Sequence, residues 1–387
     1  MISQGYKKDE IKEMKVMKKD IRNTKKGFWG VFLFYFLVAF EFAYMAGPFA
    51  VYFYSLYSPV LNFLNKIPAL AWTVKFFLPH VVRETASPLI NGIEILGIVL
   101  SVLGFIVFVI GACQIYYSKL AKKGAVLGGL YKYIRHPQYT SFIVCSFGLL
   151  LLWPRYIVIF FYVTLVFGYY LLARAEEREC EEKFGSSYIE YEKTTGRFFP
   201  RLSFMKARAD ERPKAGKLVL SYVLTLAAFF LAAYGLNCLT VDSLYTAYAP
   251  DGVTVSLCRL DGDTIEKAVA IAKADPAVAA AQKQADAPEL NYILPTEWFA
   301  AEIPMNGVEY RSGHKSNPDY DTSKYKIIFM NATLAANAGE DPKDILWKTA
   351  TIRPMVEVWV DLKEERVTDI MPMPDTIKYE GIPEAIY

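Results

Sequence analysis

Residues 89–117, LINGIEILGIVLSVLGFIVFVIGACQIYY, hold one charged side chain, Glu94, in a run long enough to cross a bilayer as a single helix. Backbone polar groups in hydrocarbon must bond within their own segment, so such a run commits a chain to helices packed in or against lipid. Four more runs repeat the pattern. Residues 28–50 are likewise long enough to cross, and residues 218–236 form the last span. Residues 139–153 and 156–173 are shorter, and the "WPRY" between them reads as the turn of a tight helical hairpin. The aromatic stretch 51–80 is broken by Pro59, Pro68 and Pro79 and reads as a re-entrant or interfacial segment. The expectation is an all-α polytopic membrane bundle of about five transmembrane helices, one pair of them a hairpin.

Charge divides the chain further. Residues 1–239 hold 29 of the 43 Lys and Arg against 16 of the 40 Asp and Glu, whereas residues 240–387 hold 14 against 24. Basic clusters before residue 28, at 119–135 and from Arg174 to Lys217 should all face the cytoplasm. The last span then delivers the acidic remainder to the opposite side. This gives a basic cytoplasmic segment 1–27, a membrane core 28–217, a last transmembrane helix 218–239 and an extracytoplasmic domain 240–387. In the first of these, Ile11, Met14, Lys18 and Ile21 recur at helical spacing, which suits either a helix on an anionic membrane surface or a solvated tail. The first apolar run follows a charge-rich stretch of about 27 residues and is too long for a cleaved signal, so it is expected to stay as a span.

The distal part reads as a small α+β domain. "TIEKAVAIAKADPAVAAAQKQ" places Ile265, Ala268, Val269 and Ala272 on one helical face, with Asp263 or Thr264 as N-cap and a break at Pro276. "KYKIIFMNATL" and "MVEVWVDLKEERVTDIMPMP" have the β-branched and aromatic bias of strands, with "DLKEER" as a hairpin turn. This helix-then-hairpin order is weakly similar to PepSY-like modules. His314 with Asp319 and Asp321 could coordinate a cation, but the spacing matches no defined loop and reads mainly as a polar surface turn.

The segment "GGLYKYIRHPQYTSF", residues 128–142, places Arg135, His136, Pro137 and Tyr139 together where the chain enters the hairpin. The second hairpin arm returns to the same side and runs into "RAEERECEEKFGSSYIEYEKTTGRFFPRL", residues 174–202. One short hairpin therefore brings two polar clusters to a common face. The pattern Gly129, Tyr131, Arg135, His136, Pro137 and Tyr139, followed by Glu176, Glu177, Phe184, Gly185, Tyr188, Tyr191 and Pro200, resembles the isoprenylcysteine carboxyl methyltransferase and phospholipid methyltransferase superfamily. The resemblance covers roughly residues 90–202. Cys180 departs from the leucine usual at its position, and Arg174 does not fall cleanly on the arginine that often precedes the paired acids.

That resemblance implies an integral membrane methyltransferase that uses S-adenosylmethionine, with His136 and Tyr139 at the methionine end of the cofactor and Arg197, Phe198 and Phe199 closing over it. The residues themselves suit such a ligand. Arg135, His136 and Tyr139 can donate to a carboxylate, Glu176 or Glu177 can accept from an ammonium or ribose, and Pro137 holds the turn into the helix. Tyr131 and Arg197 complete the cofactor set, and Glu177 and Arg174 are the catalytic candidates, Glu177 as base where the acceptor is an amine. The expected acceptor is lipidic or a small hydrophobic molecule reaching the site from the bilayer. A small permeable thiol, and a non-enzymatic scaffold for residues 240–387, are the alternatives.

Other features carry less. Glu41 and Glu94 lie within apolar runs and are functional candidates because a carboxylate in lipid is costly. Of five cysteines, Cys238 and Cys258 share the expected oxidising side and could form a disulfide. No CxxC, zinc-ligand spacing, phosphate-binding glycine loop or nucleic-acid motif occurs, so neither a metal nor a nucleic-acid partner is expected.

Overall fold

A computed structural model describes residues 50–121, 126–201, 215–282, 288–308, 311, 313–334, 342–373, 383, 386 and 387. The N-terminal segment 1–27, residues 28–49 of the expected first span and Glu41 lie outside the described residues. The helices are α1 (Ala50–Lys66), α2 (Pro88–Leu120), α3 (Pro137–Leu152), α4 (Tyr156–Phe184), α5 (Ser186–Thr194), α6 (Ala215–Ser243), α7 (Gly262–Lys273), α8 (Pro276–Gln282) and α9 (Lys343–Lys348). The chain forms two compact units. Among the described residues, one comprises Leu96–Leu152 and Val158–Phe229; the other comprises residues 50–95, Trp153–Ile157 and Phe230–Tyr387.

Among the described residues, three helices are long and apolar enough to cross a membrane: Pro88–Ile115 within α2, then α4 and α6. The fourth apolar helix, α3, has 16 residues and rises about 24 Å, short of a hydrocarbon core of about 30 Å. The described residues thus hold three full-length candidate spans and one shorter apolar helix, the expected first span lying outside them. The hairpin itself is present, with its turn between Leu152 and Tyr156. Its second arm outruns the apolar stretch and continues to Phe184, because "RAEERECEEKF" is built of strong helix formers. Leu103, Phe105 and Ile106 on α2 and Leu220, Val223 and Leu224 on α6 are exposed, as lipid-facing side chains are.

In the first unit, α2 and α3 approach through small residues. Gly97, Gly104 and Gly111 recur every seventh position of α2 and meet Gly148 and Leu152, then Ser141 and Cys145, then Gln138 of α3. With no hydrophobic force to separate lipid from leucine, this close backbone approach is what allows two membrane helices to pack. Helix α4 is the most enclosed of the three spans, with Val163, Leu165, Tyr169, Leu172 and Ala173 buried. Its Thr164 shares a 2.9 Å hydrogen bond with Tyr222 of α6.

In the second unit, the stretch read as interfacial or re-entrant becomes α1, which accommodates Pro59, a 3₁₀ turn at Ala71–Val74 and an irregular segment. Val74, Phe76, Phe77, Leu78, Val81 and Val82 of that segment are buried. The hairpin turn holds it in place. Arg155, 2% exposed, donates from Nη1 to the Val74 carbonyl at 2.5 Å and from Nη2 to the Pro383 carbonyl at 2.8 Å, with its guanidinium 4.4 Å above the Phe76 ring. Glu94 pairs with Arg83 at 3.5 Å and is largely exposed, so the cost expected of a lone acid in lipid does not arise there.

A six-stranded sheet occupies the distal residues. Its strands are β1 (Thr246–Ala249), β2 (Gly252–Ser256), β3 (Glu289–Pro295), β6 (Lys324–Leu334), β7 (Thr349–Asp361) and β8 (Arg366–Pro372), in the order β1-β2-β3-β6-β7-β8. Only the β2–β3 pair is parallel, as the α7–α8 crossover requires. The short strands β4 (Phe299–Ala300) and β5 (His314–Lys315) make a separate ribbon. Strand β6 and the β7–β8 hairpin match expectation. The N-cap of α7 does not: it is Asp261, one turn earlier, whose carboxylate accepts from Thr264 N at 2.9 Å. The cap lies there because Thr264 is already helical and supplies the amide that the cap satisfies. Pro276 opens α8, where its missing N–H costs nothing. His314 does not join Asp319 and Asp321: Asp321 accepts from the backbone and hydroxyl of Ser323, and the His314 Nδ1 lies 3.3 Å from Glu302. Cys238 and Cys258 are both free.

Candidate active site

Pro137 begins α3, and the His136 carbonyl accepts its first helical bond from Thr140 N at 3.1 Å. The residues just before the helix run beside the chain following α5. Arg135 N donates to the Gly196 carbonyl at 2.8 Å and His136 N to the Arg197 carbonyl at 3.1 Å, forming a parallel bridge at Ile134 and Gly196. Residue 196 must be glycine, since a Cβ there would fall 1.9 Å from the Phe199 carbonyl oxygen. The Thr140 hydroxyl donates to the Phe198 carbonyl at 3.1 Å. These main-chain bonds position Arg197 without help from its own side chain.

The side chains converge on Glu177, which is 2% exposed. One carboxylate oxygen accepts from Arg135 Nε at 2.7 Å and lies 3.1 Å from His136 Nε2; the other accepts from Arg197 Nε at 2.8 Å and from Arg197 Nη2. Two guanidinium groups and an imidazole thus share one buried carboxylate. Arg135 also donates to the carbonyls of Glu192 and Thr195 at 3.0 and 3.2 Å, closing the end of α5. Glu176, the adjacent acid, has a different setting. Its side chain is 43% exposed, its Oε1 accepts from the Tyr139 hydroxyl at 2.7 Å, and its Oε2 lies 3.7 Å from His136 Nδ1. The His136 and Tyr139 rings stack at 5.3 Å, and Tyr139 stacks on Tyr169 at 4.6 Å.

Of the expected residues, Arg135, His136, Pro137, Tyr139, Glu176, Glu177 and Arg197 come together. Tyr131 lies behind them: it is buried, and its carbonyl accepts from the Tyr191 hydroxyl at 2.5 Å. Arg174 faces Tyr170, donating to its hydroxyl at 3.4 Å with the guanidinium 5.7 Å from the ring. Arg197 lies 5.6 Å from the same ring, so two guanidiniums approach Tyr170. The sequence reading missed Tyr170, as well as Glu192 and Thr195. One turn before Arg174 on the same helix, Tyr170 was legible from helical spacing; the other two meet Arg135 chiefly through their carbonyls, which leave no side-chain pattern.

Around the site, burial pushes the Tyr131 phenol well above its ordinary range and the Tyr191 phenol up to about 12, so both stay protonated donors. Burial also pushes the Glu192 carboxyl up to about 7, with Arg135, 3.9 Å away, pulling it back and Glu177 and Glu181 adding to the rise. A carboxyl raised in the folded state stabilises the fold while protonated, and that stability is lost as pH climbs from about 4.5 through about 7. Thermal unfolding of the detergent-solubilised protein should therefore weaken across that window, and Glu192→Gln should flatten the decline. An unchanged pH profile in the variant would show that Glu192 does not titrate there.

Searches of curated proteins and of solved structures gave no match to this chain. Residues 92–187 match the family model for phospholipid methyltransferase. The matched segment holds α3, α4 and the Arg135–His136–Glu176–Glu177 constellation, whereas Arg197 and residues 240–387 lie beyond it. The segment that supplies most of this site is thus similar to phospholipid methyltransferases.

Proposed function

We propose that the chain is an S-adenosylmethionine-dependent methyltransferase of the membrane, acting on a lipidic acceptor. The reading is carried by one observation: a buried carboxylate, Glu177, gathers Arg135, His136 and Arg197 beside an exposed carboxylate, Glu176, that is backed by Tyr139. The residues present fit the cofactor. Glu176 has lone pairs on its solvent side for an ammonium or a ribose diol, and Tyr139, Tyr169 and Tyr170 give the aromatic surface an adenosyl group needs. Arg174 and Arg197, at 5.7 and 5.6 Å from the Tyr170 ring, are candidates to receive a carboxylate. When bound, S-adenosylmethionine would supply an electrophilic methyl on a positively charged sulfur.

The chain's own residues then divide their work. Glu177 positions: both of its oxygens accept from cationic groups, so taking a proton would break those ion pairs. Glu176 is the better proton acceptor where the nucleophile is an amine, and no base is needed for a carboxylate or thiolate. Arg135, spent on Glu177 and on two carbonyls, fixes the approach of α5 rather than contacting a ligand. Basic clusters flanking the spans support a cytoplasmic site and an opposite side for residues 240–387. A lipid-like acceptor would arrive between spans, where the apolar faces of α2 and α6 are open.

Equilibrium binding of labelled S-adenosylmethionine to the purified protein in detergent tests this reading. Glu176→Ala and His136→Ala should each weaken binding about 10-fold or more, the cost of a lost charge-assisted hydrogen bond. Methyl transfer to phosphatidylethanolamine, a prenylcysteine analogue and a small thiol would then rank the acceptors. Wild-type protein that binds no cofactor would leave a scaffold for residues 240–387, and transfer to the thiol alone would overturn the lipidic acceptor.

A further inference from the structure

The chain has three histidines, and one of them serves the site above. The other two, His80 and His314, meet in the second unit around the carboxylate of Glu302, with one ligand-type atom from each within 4.8 Å of the others. His80 Nε2 lies 3.7 Å from Glu302 Oε1, and His314 Nδ1 lies 3.3 Å from Glu302 Oε2. All three side chains are largely buried, at 15%, 10% and 19% exposure. His80 Nε2, Glu302 Oε2 and His314 Nδ1 are cut off from solvent and have no hydrogen-bond partner.

Three polar atoms enclosed this way are costly, because each has given up water without a bond in return. The surrounding structure nevertheless holds them facing one another. The His80 ring is stacked on Phe76 at 5.1 Å and meets Trp153 edge-on at 4.7 Å, which fixes its direction. Glu302 and His314 are brought together by the β4–β5 ribbon, in which Ala300 pairs with His314 and Ala301 N donates to the Gly313 carbonyl at 3.1 Å. The ribbon is too short to stabilise much by itself, and its clearest consequence is to place these two side chains opposite His80.

We propose that His80, Glu302 and His314 form a binding site for a divalent transition metal of the zinc class. Ligands of a tetrahedral zinc ion, at about 2.0–2.1 Å from the metal, stand roughly 3.3–3.5 Å from one another; the Glu302 distances of 3.3 and 3.7 Å are near this, and the set as a whole, within 4.8 Å, would draw together on the ion. Two imidazoles and a single carboxylate select zinc, nickel or copper over calcium or magnesium, which take sets of oxygen ligands. Three protein ligands leave a further coordination position for water or a small ligand. The sequence concealed the site, because His80 precedes α2 whereas Glu302 and His314 lie in the sheet domain. The inference does not depend on the methyl-transfer reading.

The test uses the full chain in detergent, stripped with EDTA and titrated with zinc sulfate against a chromophoric chelator, with elemental analysis of the dialysed product. The expected result is one zinc per chain, with affinity about tenfold or more lower in Glu302→Gln and His314→Gln and the stoichiometry kept in His136→Gln. Zinc should raise the thermal unfolding temperature of the wild type and not of Glu302→Gln, whose own unfolding transition reports that it folds. Should either variant fail to fold, cobalt(II) added to the wild type still decides, since a four-coordinate site gives intense visible absorption and a solvated ion does not. Wild-type protein that takes up no zinc, or the variants retaining it at full affinity, would overturn the proposal and leave a histidine–carboxylate cluster without metal.

Discussion

Glu177→Ala should unfold the end of the bundle that carries the site well below the wild-type transition and abolish binding of the proposed cofactor along with it. The carboxylate is 2% exposed and holds Arg135, His136 and Arg197, so its removal leaves cationic groups buried without a counter-charge. Deleting one partner of a buried ion pair typically costs about 3–5 kcal/mol, a large share of the stability of any domain. Glu177→Gln keeps the shape and loses the charge, and should fall between the two. Glu176→Ala is the matching control. Its side chain is 43% exposed, so the unfolding temperature should hold while cofactor binding drops. Thermal unfolding and cofactor binding measured on both variants separate the roles: equal effects on both quantities in both variants would refute the division between a positioning acid and a contacting acid.

That division bears on the chemistry. A base must have a lone pair to offer, and the Glu177 oxygens offer theirs to cations already. The site therefore resembles an electrostatic keystone with a working surface on its exposed side, formed by Glu176, Tyr139 and His136. Methyl transfer from a charged sulfur asks mainly for alignment and exclusion of water, which a rigid, mutually bonded cluster supplies. Because the Arg135 and His136 backbones are tied to residues 196 and 197, a change in Glu177 should also loosen the segment crossing over α3.

The sequence disclosed the parts of this molecule in which neighbouring residues share one physical task. The hairpin turn at "WPRY" was legible because apolar runs stop at a proline and an arginine; β6 and the β7–β8 hairpin were legible from alternation and a charged turn. The Arg135–His136 and Glu176–Glu177 pairs could be assigned to one face because a hairpin of two helices returns its ends to the same side. Strands β1, β2 and β3 escaped notice. They are short, and β3 buries Glu289 and Asn291 beside Leu290 and Tyr292, which erases the polar–apolar alternation that marks a half-exposed strand. Arg155 was read only as part of a turn, although its burial against two carbonyls and the Phe76 ring makes it a clasp. Nor does separation along the chain reveal that His80, Glu302 and His314 converge. Tertiary contacts of this kind depend on a sheet edge and a loop meeting, and no local period encodes them.

Gly104→Leu should prevent assembly of the first unit, and even Gly104→Ala should lower its thermal stability. A Cβ at this position would lie 2.6 Å from Cys145 N, 2.8 Å from Cys145 Cα and 2.8 Å from the Ser141 carbonyl oxygen, all backbone atoms of α3 that no rotamer change can move. Overpacking of this kind costs about 1–3 kcal/mol where neighbours can adjust, and more where the obstacle is backbone. Gly92→Ala serves as the comparison, since a Cβ there meets nothing within 4 Å and alanine is the better helix former. The effect should reach the site, because α3 carries Pro137 and Tyr139 in its first turn. Displacing α3 from α2 moves the Tyr139 hydroxyl relative to Glu176 on α4, so any Gly104→Ala protein that folds should also bind S-adenosylmethionine less tightly. Thermal unfolding and cofactor binding in detergent check both halves: a Gly104→Ala protein as stable as Gly92→Ala would mean that the two helices do not pack through this glycine stripe.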